Sequence, residues 1–519
     1  MHSFPNLAVT TLVLGIATGA GASGSQFDVL QHLGGNGQWF PGERHLPHLP
    51  HLPPPVSSLL TPHTSHLTHH QSNHHAGPEI TGISSDIPAG CTVDLFASFS
   101  RHGSRYPDRG AYEQWANLSS RIQKDGRLTI KDAKLDFLSS WKPVLTNPDA
   151  QIAQISTTGY KELYDMGTDY RLRYPQLYDY NTDFTLWANY YSGSPRVRDS
   201  ARLFARGFLG PNATDLGTIY ALNASAPQSF MNSLAPSDLC PAYADNGGSP
   251  YSDTWANIYL PPIVRRLNAQ IRGSFKFTQS DVSIIPYLCG FETQITGHKS
   301  PWCNIFSEAE ILQYEYAQDL RYWYGTGLGT DVEKYLMLPV LDGVVKRFVD
   351  GPQASYKGAD GKTFTPPKVT VGFSNDGQIN QLLAAIGVFD KQKALPATKM
   401  PSDRLFRASN FVRMRGTVAF ERLSCAAPSQ GYGQKPRSST YMRIRLNDVV
   451  YPVVGCKNGP GSSCPLSQYQ EIVTKKLGEA GDFRKLCNVT DPAVPKGRKS
   501  VTFFRTAGTE LPFATVLKP

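Results

Sequence analysis

The sequence predicts an α/β protein with more than one lobe, and three observations carry that expectation. Apolar, strand-like runs break into Gly/Ser/Pro loops at 93–107, 184–198 and 368–378, and the last two loops lead into amphipathic helices. Near-continuous apolar runs of this kind are buried strands of α/β sheets. At 519 residues the chain also exceeds what one hydrophobic core ordinarily covers.

From the amino end, Leu7 to Ala20 is apolar and small, and Ala20-Gly21-Ala22 fits a leader-peptidase site, so residues 1–22 read as a secretory signal. Residues 23–88 read as a linker that cannot bury enough apolar surface to fold, and 45–75 is crowded with His, Pro, Ser and Thr. Eleven of the thirteen histidines precede residue 76. Their irregular spacing favours a disordered tether that gains charge in acid over a metal site. The folded region is then expected to hold only His102 and His298, the latter in the loop-like run Thr296 to Pro301.

Val93 to Phe99 predicts a buried strand, followed by the loop Ser100-Arg101-His102-Gly103-Ser104-Arg105-Tyr106-Pro107. A polar excursion runs to Ile155. Ser156-Thr157-Thr158-Gly159-Tyr160 enters a helix whose stripe is Leu163, Met166, Tyr170 and Leu172 to Tyr174, ending at Pro175. Phe184 to Tyr191 predicts a second strand. It ends in Ser192-Gly193-Ser194-Pro195-Arg196-Val197-Arg198 and a helix from Asp199 to Phe208. Residues 209–329 are richer in helical pattern, clearest at Glu308–Tyr324, and Val332–Phe348 is a further helix. Lys368 to Phe373 predicts a third strand, Ser374-Asn375-Asp376-Gly377-Gln378 a turn, and Ile379 to Phe389 a helix. Tyr441 to Leu446 alternates as a strand, with Asn447-Asp448 as the turn of a hairpin returning through Val454.

The chemistry gathers at the strand ends, where open α/β sheets place ligands. Arg101 and Arg105 flank His102 there. Guanidinium forks suit phosphate, and a neutral imidazole is a nucleophile or a base. A net charge of +9 and a pI near 9.0 fit anionic small substrates, whereas no Lys/Arg-rich run points to nucleic acid. After the leader no stretch is long and apolar enough to span a bilayer. Asn117, Asn212, Asn223 and Asn488 lie in glycosylation sequons. Eight cysteines without a C-x-x-C pair read as disulfides rather than a metal site, with Cys456 and Cys464 a natural short bridge and the other pairings open.

The Arg-His-Gly-x-Arg-x-Pro run from Arg101 resembles the active-site signature of the histidine acid phosphatases, a family that includes fungal phytases. Ser-Gly-Ser-x-Arg-Val at 192–197, the helix entered through Ser156-Thr157-Thr158-Gly159 with Arg171 and Arg173 near its end, and the run from Ser300 to Gly329 are similar to the same family. The resemblance implies a mixed central sheet flanked by helices. The phosphatase domain would cover 89–208 and 330–519, and a smaller, mostly α-helical lobe would be inserted at 209–329. It implies a phosphohistidine on His102, phosphate held by Arg101, Arg105 and Arg196, and Asp376 as proton donor, with no cofactor or metal. Arg198 is not implied. Asn375 stands where the family usually has His, and would bind phosphate through a neutral amide. The implied disulfides are Cys91–Cys425, Cys240–Cys487, Cys289–Cys303 and Cys456–Cys464. The expectation is a secreted or cell-wall phosphatase of small phosphate monoesters. Phytate hydrolysis is the near alternative, with Arg265 and Arg266 in the lobe as possible further cations. Because of Asn375, a phosphate-binding pseudoenzyme is a second alternative, and an interaction glycoprotein using its histidine-rich tract is a third.

Overall fold

The computed structural model describes residues 27–39, 81–124, 128–191, 195–426 and 438–519. The expected signal peptide and the tract 45–75 lie outside the described residues.

A nine-stranded mixed sheet forms the centre. Its strands are β1 (Cys91–Arg101), β2 (Phe184–Asn189), β3 (Gly217–Leu222), β4 (Val369–Ser374), β5 (Thr417–Ala426), β6 (Ser438–Leu446), β7 (Val449–Val450), β8 (Cys464–Pro465) and β9 (Ala514–Leu517). The order is β7-β6-β5-β1-β4-β2-β3-β9, with β8 paired to β6. β1, β4, β2 and β3 run parallel, so their carboxyl ends open on one side, while β5 returns antiparallel beside β1 and β6 pairs antiparallel with β5. The register sets Arg101 level with Ser374, one residue before Asn375 and two before Asp376.

The helices are α1 (Arg109–Lys124), α2 (Thr157–Arg173), α3 (Arg196–Leu209), α4 (Tyr251–Ala269), α5 (Ile285–Thr296), α6 (Glu308–Gly325), α7 (Leu338–Asp350), α8 (Asp376–Ala385) and α9 (Leu466–Ala480). α2 and α3 cross where glycines let the backbones touch. A Cβ on Gly167 would meet the Phe204 carbonyl oxygen at 2.3 Å, and one on Gly207 would meet that of Tyr164 at 2.0 Å. These two helices cover one sheet face through Leu163, Met166, Phe204 and Phe208. α4, α5 and α6 share a second core with the other face, rich in aromatic edge contacts.

Three expectations about organisation are corrected. β3 lies inside 209–329 yet is an internal strand of the sheet, because Ile219, Ala221 and Leu222 are fully buried there. Conversely, α1 falls in the stretch read as a polar excursion and packs on the helical lobe, with Trp115 edge-on to Tyr287 and Phe291. Its Trp115, Leu118 and Ile122 have helical spacing and are buried. Third, the linker expected over 23–88 is not one at Phe27–Trp39. Two 3-10 turns there, Val29–His32 and Gly34–Asn36, bury Val29 and Leu33 in the lobe-side core. His32 thereby joins the folded region and pairs with Glu315 at 2.9 Å, so His102 and His298 are not its only histidines. His298 is exposed.

Disulfides join Cys91–Cys425 across β1 and β5, Cys240–Cys487, Cys289–Cys303 and Cys456–Cys464. Asn117, Asn212, Asn223 and Asn488 are all exposed. No helix of the described residues is long and apolar enough to cross a membrane.

Candidate active site

β1 extends one strand turn beyond its apolar run and delivers Arg101 and His102 at the carboxyl edge of the sheet. The backbone there is pinned on three sides. The Arg101 N–H donates to the Gly416 carbonyl at 2.8 Å, the His102 N–H to Ser374 at 3.1 Å, and the Arg415 N–H to the His102 carbonyl at 2.9 Å. Behind the loop, the buried Glu162 carboxylate accepts from the Ser104 N–H at 2.7 Å and the Ser104 hydroxyl at 2.8 Å.

His102 is 1% exposed. Its Nδ1 lies 2.9 Å from the Gly103 carbonyl. A carbonyl only accepts, so Nδ1 carries the proton and Nε2 presents its lone pair. Burial, and then the charges of Arg196, Arg101 and Arg105, depress its pKa well below the ordinary value, so the ring stays neutral in mild acid.

The three arginines arrive from different elements and are only partly neutralised. Arg101 donates through Nη1 to the carbonyls of Gly35 at 2.5 Å and Val412 at 2.7 Å, and its Nη2 sits 3.3 Å from Asp376 Oδ2. Arg105 contacts Asp108 at 2.8 Å and lies over the Phe291 ring. Arg196, the first residue of α3, reaches the other Asp108 oxygen at 3.3 Å. Burial, and then repulsion from Arg105, lower the Arg196 pKa to about 10. The Nε of each of these arginines is buried without a hydrogen-bond partner among the described residues. A cluster of buried cations with unused donors is a receptor for an anion.

Asn375 occupies the N-cap position of α8 but makes no capping bond with its side chain, and its Oδ1 is buried without a partner among the described residues. Asp376 is the first helical residue. Its Oδ2 accepts from the Tyr322 hydroxyl at 2.7 Å and faces Arg101. Burial opposes the charged carboxylate, yet Arg101, the Tyr322 hydrogen bond, His102 and Arg321 outweigh it and hold the carboxyl well below the usual carboxylate range.

His102, Arg101, Arg105, Arg196, Asn375 and Asp376 thus gather at the carboxyl edge of the sheet. Arg198 instead covers the Tyr190 ring. Arg266 is committed to Glu310 at 2.7 Å, and Arg265 is exposed on the same helix. The lobe's cation at the site is Arg321, on α6, which makes no ion pair among the described residues and contributes to the field on Asp376. Sequence reading missed Arg321, Tyr322, Asp108 and the Gly34-Gly35 strap. Asp108 directly follows the arginine loop and carried a signal, as an acid beside two guanidinium groups. Arg321 and Tyr322 look like ordinary positions of an amphipathic helix.

A neutral, buried histidine ringed by arginines at the carboxyl edge of the sheet's parallel strands, with a carboxylate opposite, has the make-up of a phosphate-handling site. Residues 94–447 match the model of the histidine phosphatase superfamily (branch 2). The chain belongs to that family, whose members include phosphomonoester hydrolases. It is 25% identical over 416 residues to a phytase of Candida albicans, covering 79% of this chain and 83% of that one. It is 28% identical over 407 residues to an acid phosphatase of Komagataella pastoris, covering 77% and 81%. The crystal structure of the phytase from D. castellii superposes with a TM-score of 0.74 at 23% identity, covering 94% of this chain and 93% of that one, and shows the same fold.

Proposed function

We propose that the chain is a secreted acid phosphatase that hydrolyses small phosphate monoesters through a phosphohistidine on His102. The observation that carries this reading is the neutral His102 ring, with Nε2 free, set among three guanidinium groups that retain unused donors. The phosphoryl group docks on Arg101, Arg105 and Arg196, which stabilise the charge spreading over its equatorial oxygens. Nε2 attacks phosphorus in line as the ester P–O bond breaks. Asp376 delivers a proton to the leaving oxygen, then takes one from the water that cleaves the P–N bond. The arginines supply the positive charge that a metal provides in other phosphatases.

The acid optimum expected of this reaction originates in the substrate's proton. Protonation of Asp376 in the empty enzyme does not set it, because Arg101 and Tyr322 hold that carboxyl ionised. A phosphate monoester has a second pKa near about 6 and, as the monoanion, brings a proton with it. Docking also offsets the arginine field, so the proton is shared with Asp376. Activity then falls above mild acid as the bound complex loses the proton that substrate and Asp376 share.

Asn375 replaces a charged donor by an amide, which slows the reaction without removing an essential group. Phytate is the second reading, favoured by the relative named as a phytase and by the uncommitted Arg321 on the leaving-group side. Secretion is supported by the apolar leader, the four disulfides and the exposed sequon asparagines.

The test is hydrolysis of p-nitrophenyl phosphate from pH 3 to 8 in excess EDTA, beside phytate at equal concentration. The reading expects metal-independent turnover in acid that His102→Ala abolishes. A folded, phosphate-binding but inactive wild type overturns it in favour of a pseudoenzyme. Faster phytate turnover selects the second reading.

A further inference from the structure

Asp376 is held from two sides, and both supports pass through the amino-terminal strap. The Gly35 carbonyl fixes Arg101 Nη1, while Arg101 Nη2 faces Asp376 Oδ2. Tyr322, 5% exposed, donates its hydroxyl to the same Oδ2 at 2.7 Å. Gly35 also backs that hydroxyl, since a Cβ on Gly35 would stand 2.0 Å from the Tyr322 oxygen and 2.9 Å from its Cζ. The strap is firmly seated. The Gly34 N–H donates to Ser409 Oγ at 3.0 Å, Asn36 Nδ2 to the Tyr314 hydroxyl at 2.8 Å, and the Met414 N–H to the Gly37 carbonyl at 3.0 Å. Asp376 Oδ1 makes no hydrogen bond to a described residue.

We propose that Tyr322, backed by Gly35, is a positioning residue for Asp376: its hydroxyl holds Oδ2, turns Oδ1 toward the leaving oxygen, and limits the pH up to which the carboxyl carries a proton. This rests on the reading of Asp376 as the proton donor. The other groups acting on that carboxyl are Arg101 from β1, His102 and Arg105 from the loop after it, Arg196 from α3, Arg321 from α6, and Tyr243. Among the described residues, the Tyr322 hydroxyl is the neutral donor on the carboxylate. Burial and the adjacent Asp376 charge raise the phenol's own pKa, so it stays a donor throughout the working range. A donor to a carboxylate favours the ionised form, so its removal lets the carboxyl keep a proton to higher pH.

The test is the pH profile of kcat on glycerol phosphate, whose alkoxide leaves only when protonated, and on p-nitrophenyl phosphate, whose phenoxide leaves without help. Tyr322→Phe is expected to move the alkaline limb on glycerol phosphate upward by about one pH unit, the scale of one charge-assisted hydrogen bond. The shift is smaller on the aryl ester, and KM changes less than the limb. Gly35→Ala, at a position without positive φ, is expected to move the limb in the same direction by displacing the hydroxyl. The double variant goes no further than Tyr322→Phe alone. A changed rate with an unmoved limb, in folded Tyr322→Phe or Gly35→Ala, overturns the proposal. Asp376→Asn separates the two levels: if it still turns over glycerol phosphate, the proton-donor reading fails and this proposal with it. If it is inactive and Tyr322→Phe leaves the limb in place, the positioning role alone fails.

Discussion

Two clusters of arginine and carboxylate lie on this sheet, and they are built to opposite ends. Behind the strands, Glu421 is fully buried between Arg443 at 2.5 Å and Arg445 at 3.3 Å, with Arg173 at 3.6 Å and the Tyr174 hydroxyl at 2.5 Å. The remaining donors of Arg443 and Arg445 go to the carbonyls of Ser85, Asp86 and Asp448, and none of their side-chain nitrogens is orphaned. At the carboxyl edge, Arg101, Arg105 and Arg196 share Asp376 and the half-exposed Asp108, and each leaves its Nε without a partner among the described residues. The same residue types therefore form a closed structural joint in one place and an unfilled anion receptor in the other. What separates them is saturation of the donors rather than burial.

Breaking the closed cluster should have the largest effect. Glu421→Gln leaves buried guanidinium charge uncompensated and is expected to cost about 3–5 kcal/mol in urea unfolding. Burial disfavours the Glu421 carboxylate, but Arg443, Arg445 and Arg173 hold its folded pKa well below the unfolded one. Its contribution is therefore present above the unfolded carboxyl value of about 4.3 and is lost as pH falls through the much lower folded value. The deficit of the variant should be constant from neutral pH to about 5 and shrink in stronger acid.

Removing one donor from the open cluster comes next. Arg101→Ala should lower kcat by about 10²–10³, the usual scale for a transition-state charge donor, in initial-rate assays. Adding charge there should work in reverse. Asn375→His is expected to raise kcat by roughly tenfold through a charge-assisted hydrogen bond, and an unchanged or lower rate would count against Asn375 as a phosphate ligand. The smallest effect belongs to Asp108, 51% exposed, which competes with substrate for Arg105 and Arg196. Asp108→Asn should lower the inhibition constant of inorganic phosphate by a few-fold while leaving the melting temperature nearly unchanged, since exposed ion pairs contribute about 0–1 kcal/mol.

Much of this contrast was legible before the fold was seen. The Arg-His-Gly loop follows an apolar strand, and Asp376 follows another, so both were placed at strand ends by pattern alone. The closed cluster was not legible, because Glu421, Arg443 and Arg445 alternate with apolar residues as solvent-facing charges do. Only the sheet register brings them together under α2. The strap escaped for a different reason. Val29 and Leu33 are the apolar anchors of a short segment beside a tract whose composition reads as unfolded, and its polar contacts to α6, His32 to Glu315 and Asn36 to Tyr314, span 283 and 278 residues. Tyr322 shows the same limit, since a helix surface position gains its meaning from the loop that crosses it.

The most direct test of the open cluster as a catalytic site is rapid quenching with a ³²P-labelled monoester, followed by acid and base stability of the labelled protein. Wild type should carry an acid-labile, base-stable phosphoryl group that builds up within one turnover, and His102→Ala should carry none. An active wild type without such a label under any quench, or label retained in the His102→Ala variant, would contradict a phosphohistidine at this position.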